Sequence, residues 1–321
     1  MSAPLRVGVI GLGARCVIAE NCHKATIPAE LVGGCDPNPA MRQRATEVLG
    51  DYPWFETLDE LLELGIDCAI VTSPDDTHED ITCALLEAGV AVYLEKPIAI
   101  TIEGSDRVLE TAYRTKTPLY VGHNMRHMAV VRILRQVVQD GLIGEVRAIW
   151  CRHFVGNGGD YYFKDWHADR SRTTGLLLQK AAHDIDVMNW LSDSVPERVV
   201  GMGDLMLYGK LTDRSGQKPD VVMSDWFSFD NWPPASLTGL NPVIDVEDVS
   251  MLMMRQASGT LISYEQCHFT PDYWRNYTVI GTEGRAENFG DGEGGVVRVW
   301  KHRSGWEPTG DIEIPIKGDA G

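Results

Sequence analysis

The chain reads as an α/β domain built on a doubly wound parallel sheet, followed by an α+β domain built on an open, mainly antiparallel sheet. Three observations predict this. Up to residue 126, short apolar runs alternate with amphipathic helical patterns, as parallel strands and their crossover helices do. Beyond about residue 140 the pattern turns to longer strand-like segments separated by glycine turns such as Ala257-Ser258-Gly259, the spacing of antiparallel pairing. Within the second region stands one strong helix pattern, Leu176 to Leu191. The division is expected as residues 1–126 and 127–321.

The first domain opens with an expected strand, LRVGVI, at Leu5 to Ile10, and turns through Gly11-Leu12-Gly13-Ala14-Arg15-Cys16 into a helix carrying Ile18, Ala19 and Cys22. Gly11 permits the tight turn, and Gly13 lets a pyrophosphate approach the backbone at a helix N-terminus. Cys16 stands where this fingerprint has its third glycine, whose task is helix–strand packing. The next strand, Leu31 to Cys35, ends at Asp36. That is about 20 residues beyond the glycines, where a carboxylate accepts from the ribose hydroxyls and repels a 2′-phosphate. The pattern therefore favours NAD over NADP.

Helices over 39–49 and 58–64 and a brief strand over 52–55 follow. A buried strand over 67–72 delivers Ser73-Pro74, and residues 75–78 open a helix that Gly89 closes. The strand Ala91-Val92-Tyr93-Leu94 then delivers Glu95, Lys96 and Pro97. Carboxyl ends of strands in such sheets face the ligand crevice, so Lys96 is aimed at whatever binds. A helix over 103–115, a strand over 119–122 and the run His123-Asn124-Met125-Arg126 complete the domain.

In the second domain a helix over 130–140 and a strand over 146–154 lead into a glycine- and aromatic-rich loop, 155–174, and then the long helix. Further strands are expected over 197–200, 221–229, 246–256, 260–268, 277–280, 285–288 and 296–300. A broad open sheet face needs cover, which a second subunit commonly supplies. On the helix, Gln179, Lys180, His183 and Asp184 fall at i, i+3 and i+4 and share one face. The loop before it contributes Tyr161, Tyr162, Trp166, His167 and Arg170. Aromatic rings beside hydrogen-bonding groups suit a polyol, whose C–H faces stack while its hydroxyls bond. The histidines and cysteines lack ligand spacing, so no metal is expected, and no nucleophile elbow is present.

Composition narrows the partners. With 321 residues, 44% hydrophobic, the chain is long enough for two cores. A formal net charge of −17 repels phosphate backbones and anionic lipid, which makes nucleic acid and membrane surfaces poor partners. Seven scattered cysteines, an odd number without a Cys-x-x-Cys pair, predict reduced thiols in a cytoplasmic protein. The first residues run directly into a strand with no basic leader, and no apolar run is long enough to span a bilayer.

Five motifs together give the chain a family likeness: Glu95-Lys96-Pro97 after a strand, Thr72-Ser73-Pro74 with His78, Gly122-His123-Asn124-Met125-Arg126, His183-Asp184-Ile185-Asp186 and Gly281-Thr282-Glu283-Gly284. Over nearly its whole length the chain resembles the Gfo/Idh/MocA family, which includes glucose–fructose oxidoreductase and inositol dehydrogenases. The resemblance implies a Rossmann domain whose NAD site draws on Gly11, Gly13, Ala14, Arg15, Asp36, Thr72, Ser73, Pro74, His78, Glu95, Lys96, Asn124 and Arg126. It implies that Lys96 and His183 meet at the nicotinamide, and that the second sheet packs between subunits of a homodimer or homotetramer.

The expected activity is then NAD-dependent oxidation of a secondary hydroxyl in a sugar, cyclitol or sugar derivative. His183 would take the hydroxyl proton as hydride leaves the same carbon, Lys96 would hold the hydroxyl, and Glu95 would help fix Lys96. Tyr162, Trp166, His167, Arg170, Gln179 and Lys180 would orient the substrate. Two departures stand out: many members carry an aspartate where this chain has Gln179, and relatives commonly continue past the equivalent of Gly321. Two rival readings share the motifs. One is a glycosidase that oxidises a hydroxyl transiently, eliminates the aglycone and returns the hydride. The other is a sensor that binds NAD and a sugar without turnover, against which the retention of Lys96 and His183 speaks.

Overall fold

A computed structural model describes residues 3–24 and 26–318. The first sheet is six-stranded and wholly parallel, in the order β3-β2-β1-β4-β5-β6. Its strands are β1 (Leu5–Ile10), β2 (Ala29–Cys35), β3 (Trp54–Phe55), β4 (Cys68–Val71), β5 (Ala91–Leu94) and β6 (Leu119–Val121). The order reverses between β1 and β4, and a crevice opens beyond the carboxyl ends of strands at such a switch point. Helices cover both faces, which is why the strands are nearly continuous apolar runs. The helix Pro39–Leu49 starts where Asn38 accepts from the Ala40 N–H at 3.0 Å, with proline in its first turn. The expected helix after the glycine loop winds more tightly, as a 3-10 helix over Ala14–Lys24. Cys16 and Ala19 are its buried residues, packed with Val9, Leu31 and Met41, so a thiol fills the place of the third glycine.

The second sheet has eight strands, in the order β14-β13-β12-β11-β7-β10-β9-β8. They are β7 (Val146–Phe154), β8 (Pro196–Asp204), β9 (Val249–Gln256), β10 (Leu261–Cys267), β11 (Trp274–Gly281), β12 (Arg285–Phe289), β13 (Val296–Trp300) and β14 (Ile312–Pro315). All pairings are antiparallel except the central β7–β10 pair, which is parallel. The helices Ala129–Gln139 and Leu176–Ser192 pack on one face, burying Ile149, Leu252, Met254, Ile262, Tyr264 and Tyr277 in a common core. On the opposite face, the β8–β9 end of the sheet carries an exposed apolar patch. Register places Val200 opposite Met253 and Met202 opposite Met251, with Met202 at 78% and Met253 at 66% exposure.

Three expectations in this half need correction. Residues 221–229 are not a strand: they hold a short helix, Met223–Trp226, whose Asp225 accepts from the Val222 N–H at 2.8 Å. The apolar residues that mimicked a strand are used one by one. Val222 joins the core beside Leu12, Cys16 and Met41, and Phe227 tilts against Tyr161. The 155–174 loop contains three short helical pieces, Gly158–Tyr162, Trp166–Ala168 and Arg170–Thr173. β8 runs longer than expected because Gly201 and Gly203 weaken its pattern without ending it, and β14 was not foreseen.

Candidate active site

The glycine loop closes against the end of β4. Gly11 has φ of +86°, and a Cβ there would collide with the Ser73 backbone, so only glycine fits this approach. Above Gly13 the space is open, with no atom within 4 Å of where its Cβ would stand. Asp36 is held in place by backbone amides: one carboxylate oxygen accepts from Leu12 N–H and the other from Asn38 N–H, both at 2.8 Å. Each oxygen keeps a lone pair for a ribose hydroxyl. Arg42, a nearby cation that a 2′-phosphate could use, donates instead to the carbonyls of Asp36 and Pro37, at 2.6 and 3.2 Å. Buried polar atoms without partners line the crevice further on, among them Asn124 Oδ1, His123 Nδ1 and His183 Nδ1. An open cradle over Gly13, a poised carboxylate and unsatisfied crevice atoms are what a dinucleotide fills.

Lys96 leaves the end of β5, where its peptide bond to Pro97 is cis, and crosses to the helix Leu176–Ser192. Its ammonium donates to the Gln179 carbonyl at 2.5 Å. Burial lowers its pKa, and the nearby Asp75 carboxylate and Tyr162 oppose that shift. His183 faces the same space. Burial, then the charges of Lys96 and Lys180, push its pKa well below the ordinary histidine value, so the ring is a neutral base. Lys180 stands one turn before it, with its ammonium 5.7 Å from the centre of the Tyr162 ring. Burial, and then Arg275, bring the Lys180 pKa down to about 8.

Glu95 does not hold the Lys96 ammonium. It pairs with Arg15 at 2.8 Å and accepts from the Lys96 backbone N–H at 3.2 Å, tying the glycine loop to the end of β5. Asp75 is the carboxylate that sequence reasoning missed. It is buried, accepts from Thr173 Oγ1 at 3.3 Å, and burial raises its pKa against the pull of Lys96 and His167. Its position just past β4, at the same sheet edge as Lys96, was the available signal.

Beneath His183 lies a second polar network assembled from three strands. Asp184 is fully buried and is met by His153 Nδ1 at 3.0 Å, Arg275 Nε at 3.1 Å, Tyr264 OH at 3.1 Å and Tyr277 OH. Burial would raise its pKa, but Arg275, His153 and Tyr277 hold it well below the carboxylate range. Burial and Arg275 lower the His153 pKa to about 4, so His153 gives Asp184 a neutral hydrogen bond. Register explains the convergence: Arg275 lies opposite His153, and Tyr277 opposite Cys151, across the β7–β11 pair.

Several expected site residues have other engagements. Both ring nitrogens of His78 face carbonyl oxygens, Pro97 at 2.7 Å and Ser73 at 3.0 Å, so it clamps two crevice loops together from a buried position. Arg126 forms a two-pronged pair with Asp186, at 2.7 and 2.6 Å. Arg170 is spent on the Asp245 carbonyl, Glu247 and the Thr174 carbonyl. Trp166 stacks on His167 with ring centres 3.7 Å apart, and His167 meets the edge of Tyr162 at 5.1 Å. Gln179 is buried, its Oε1 without a partner. Thr72 donates to the Gly11 carbonyl at 2.7 Å, and Ser73 Oγ accepts from Thr77 at 2.7 Å.

Comparison with known proteins gives this arrangement a lineage. Residues 5–123 match the oxidoreductase family with an NAD-binding Rossmann fold, and residues 131–287 match the GFO/IDH/MocA C-terminal domain. The chain belongs to the Gfo/Idh/MocA family of oxidoreductases, and its cofactor is NAD. Over 299 residues it is 26% identical to YteT, an oxidoreductase of Bacillus subtilis, covering 81% of this chain and 70% of YteT. It is 30% identical over 197 residues to inositol 2-dehydrogenase of Serratia proteamaculans, covering 59% of this chain but only 55% of that enzyme. Among solved structures, levoglucosan dehydrogenase in complex with NADH and levoglucosan superposes with a TM-score of 0.77 at 19% identity, covering 98% of this chain and 80% of that one. The WlbA dehydrogenase of Bordetella pertussis superposes at 0.71 with 20% identity, over 89% of this chain and 74% of its own. These two likenesses concern the fold.

Proposed function

We propose that the protein is an NAD-dependent dehydrogenase that oxidises a secondary hydroxyl of a sugar, cyclitol or sugar derivative. The observation that carries this reading is the convergence of Lys96, at the carboxyl end of β5, with a neutral His183 on the facing helix. Bound NAD supplies the hydride acceptor, C4 of its nicotinamide. Lys96 donates to the substrate hydroxyl and stabilises the negative charge that builds on its oxygen. His183 takes the hydroxyl proton. The C–H bond leaves as hydride and the O–H bond as a proton, so the alcohol becomes a carbonyl. Asp75, facing Lys96, opposes the lowering of the Lys96 pKa that burial causes.

Gly11, Gly13, Ala14 and Arg15 would seat the pyrophosphate and Asp36 the ribose, with Thr72, Ser73, Pro74, Glu95 and Asn124 along the nicotinamide half. His78 and Arg126 act here through the loops they hold. Tyr162, Trp166 and His167 would form the wall on which a polyol stacks, with Gln179 and Lys180 beside the reacting carbon; Arg170 shapes that loop. The names borne by similar proteins, inositol 2-dehydrogenase and levoglucosan dehydrogenase, support a carbohydrate or polyol substrate. Residues 1–126 would bind the cofactor, and 127–321 would carry the substrate and the subunit contact. The exposed row of Val200, Met202, Met251 and Met253 supports association of two or four copies through the second sheet. Free cysteines throughout support a cytoplasmic setting. Among the described residues no helix is long and apolar enough to cross a membrane.

The test is turnover of a panel of cyclitols, sugars and sugar derivatives with NAD. The proposal expects NADH to accumulate one for one with oxidised product. Release of phenol from an aryl glycoside with only a trace of NAD and no net NADH would replace it with the transient-redox glycosidase.

A further inference from the structure

Lys180 is a cation without a counter-ion. It lies on the helix Leu176–Ser192, half-buried, and among the described residues its ammonium has neither a hydrogen bond nor an ion pair; the centre of the Tyr162 ring lies 5.7 Å away. Nearby carboxylates are directed at other groups. Asp184 accepts hydrogen bonds from His153, Tyr264 and Tyr277 and forms an ion pair with Arg275. Asp291 meets Tyr273 and Arg275 through Oδ2, and Glu95 pairs with Arg15. Asp75 bears on Lys96. A partly buried ammonium left without a counter-ion, on the face of the helix that carries His183, suits an anion that arrives with the ligand.

Resting on the dehydrogenase reading, we infer that the substrate is a sugar acid whose carboxylate pairs with Lys180 while its reacting hydroxyl sits between Lys96 and His183. The class is set by what surrounds the ammonium. Phosphate groups are commonly held by arginine forks, or by a lysine working beside a nest of backbone amides, rather than by a single ammonium alone. Here the guanidinium of Arg275 is already paired with Asp184 and Asp291 and lies against His153. One compact ammonium matches one carboxylate charge. A neutral polyol would leave Lys180 as unpaired as before.

The experiment is calorimetric binding to the NAD-saturated protein at about pH 7, using matched probes: glucuronate against glucose, galacturonate against galactose, and glucose 6-phosphate. At least one acid should bind roughly tenfold or more tightly than its neutral partner, the scale of one charge-assisted hydrogen bond. Lys180→Gln should erase that ratio while NAD binding is kept, and Lys180→Arg should retain most of it. Raising the pH through about 8, the value to which burial and then Arg275 bring Lys180, should weaken acid binding alone. Around that ammonium stand the cations Arg275, Arg15 and Lys96, the carboxylates Asp184 and Asp291, and the buried histidines His153, His183 and His268. Acids that bind no better than neutral sugars, a ratio that survives Lys180→Gln, or tighter binding of glucose 6-phosphate would each overturn the inference. NADH read in the same samples separates the two readings. Acid-selective binding without NADH removes the dehydrogenase and leaves the anion site, whereas NADH from neutral sugars alone does the reverse.

Discussion

Lys96 and His183 are placed to do chemistry rather than to hold the fold, since neither belongs to an apolar core. Lys96→Ala and His183→Ala should therefore stay folded and bind NAD, yet lose roughly 10²- to 10⁴-fold in turnover. Near-normal turnover in either variant would remove that residue from the mechanism. His183 also predicts a pH profile. Because burial and the two lysine charges lower its pKa, the base-competent neutral form persists as pH falls through the range where an ordinary histidine protonates. Turnover should hold level from about pH 7 down to about pH 6; an acid limb centred at or above the ordinary value would contradict it. At the other end of the cofactor, Asp36 is fixed by two amides and Arg42 is occupied. NAD should bind at least tenfold more tightly than NADP, about 1.4 kcal/mol or more, as measured by fluorescence titration of both.

The exposed rung across β8 and β9 is the feature of a single element with the clearest consequence. Val200 and Met253 face each other on the uncovered side of the sheet, where opposite residues pack as a pair. Met253→Lys should shift the protein toward monomers in analytical ultracentrifugation without lowering its melting temperature, since the side chain lies outside the core. An unchanged assembly would move the subunit contact elsewhere. Elements also show what the sequence made legible. Strand ends of the parallel sheet could be read because local pattern fixes them, and with them came Gly11, Asp36 and Lys96. The face shared by Lys180, His183 and Asp184 followed from helical spacing alone. The partners of Asp184 did not, because His153, Tyr264, Arg275 and Tyr277 come from β7, β10 and β11, and only the register of distant strands brings them together. Residues 221–229 misled for a related reason: their apolar side chains answer to the first domain and to Tyr161, which no local period reveals.

For the molecule as a whole, the Asp184 network joins the long helix to the centre of the second sheet. Asp184→Asn leaves Arg275 as a poorly compensated buried charge, and should cost about 3–5 kcal/mol in denaturant unfolding; a loss under 1 kcal/mol would mean the network holds little. Acid should expose a second weakness. His153 and His268 are buried and have lowered pKa values, His153 to about 4. The unfolded chain therefore binds protons that the folded chain refuses as pH drops below the unfolded histidine value of about 6.5. Stability from this source is intact at neutral pH and is lost progressively between about pH 6.5 and pH 4, by up to about 1.4 kcal/mol per pH unit for each ring. A melting temperature that stays constant over that interval would contradict the neutral assignment.

The central claim is that one substrate carbon, held by Lys96 and His183, gives its hydride to the bound nicotinamide. Isotope transfer tests it most directly. Turnover of a perdeuterated sugar or sugar acid with unlabelled NAD, followed by mass spectrometry of both products, should find one deuterium in each NADH for every hydroxyl oxidised, and almost none with Lys96→Ala or His183→Ala. Oxidised product accompanied by unlabelled NADH, or deuterium returned to the sugar with no NADH released, would contradict the account.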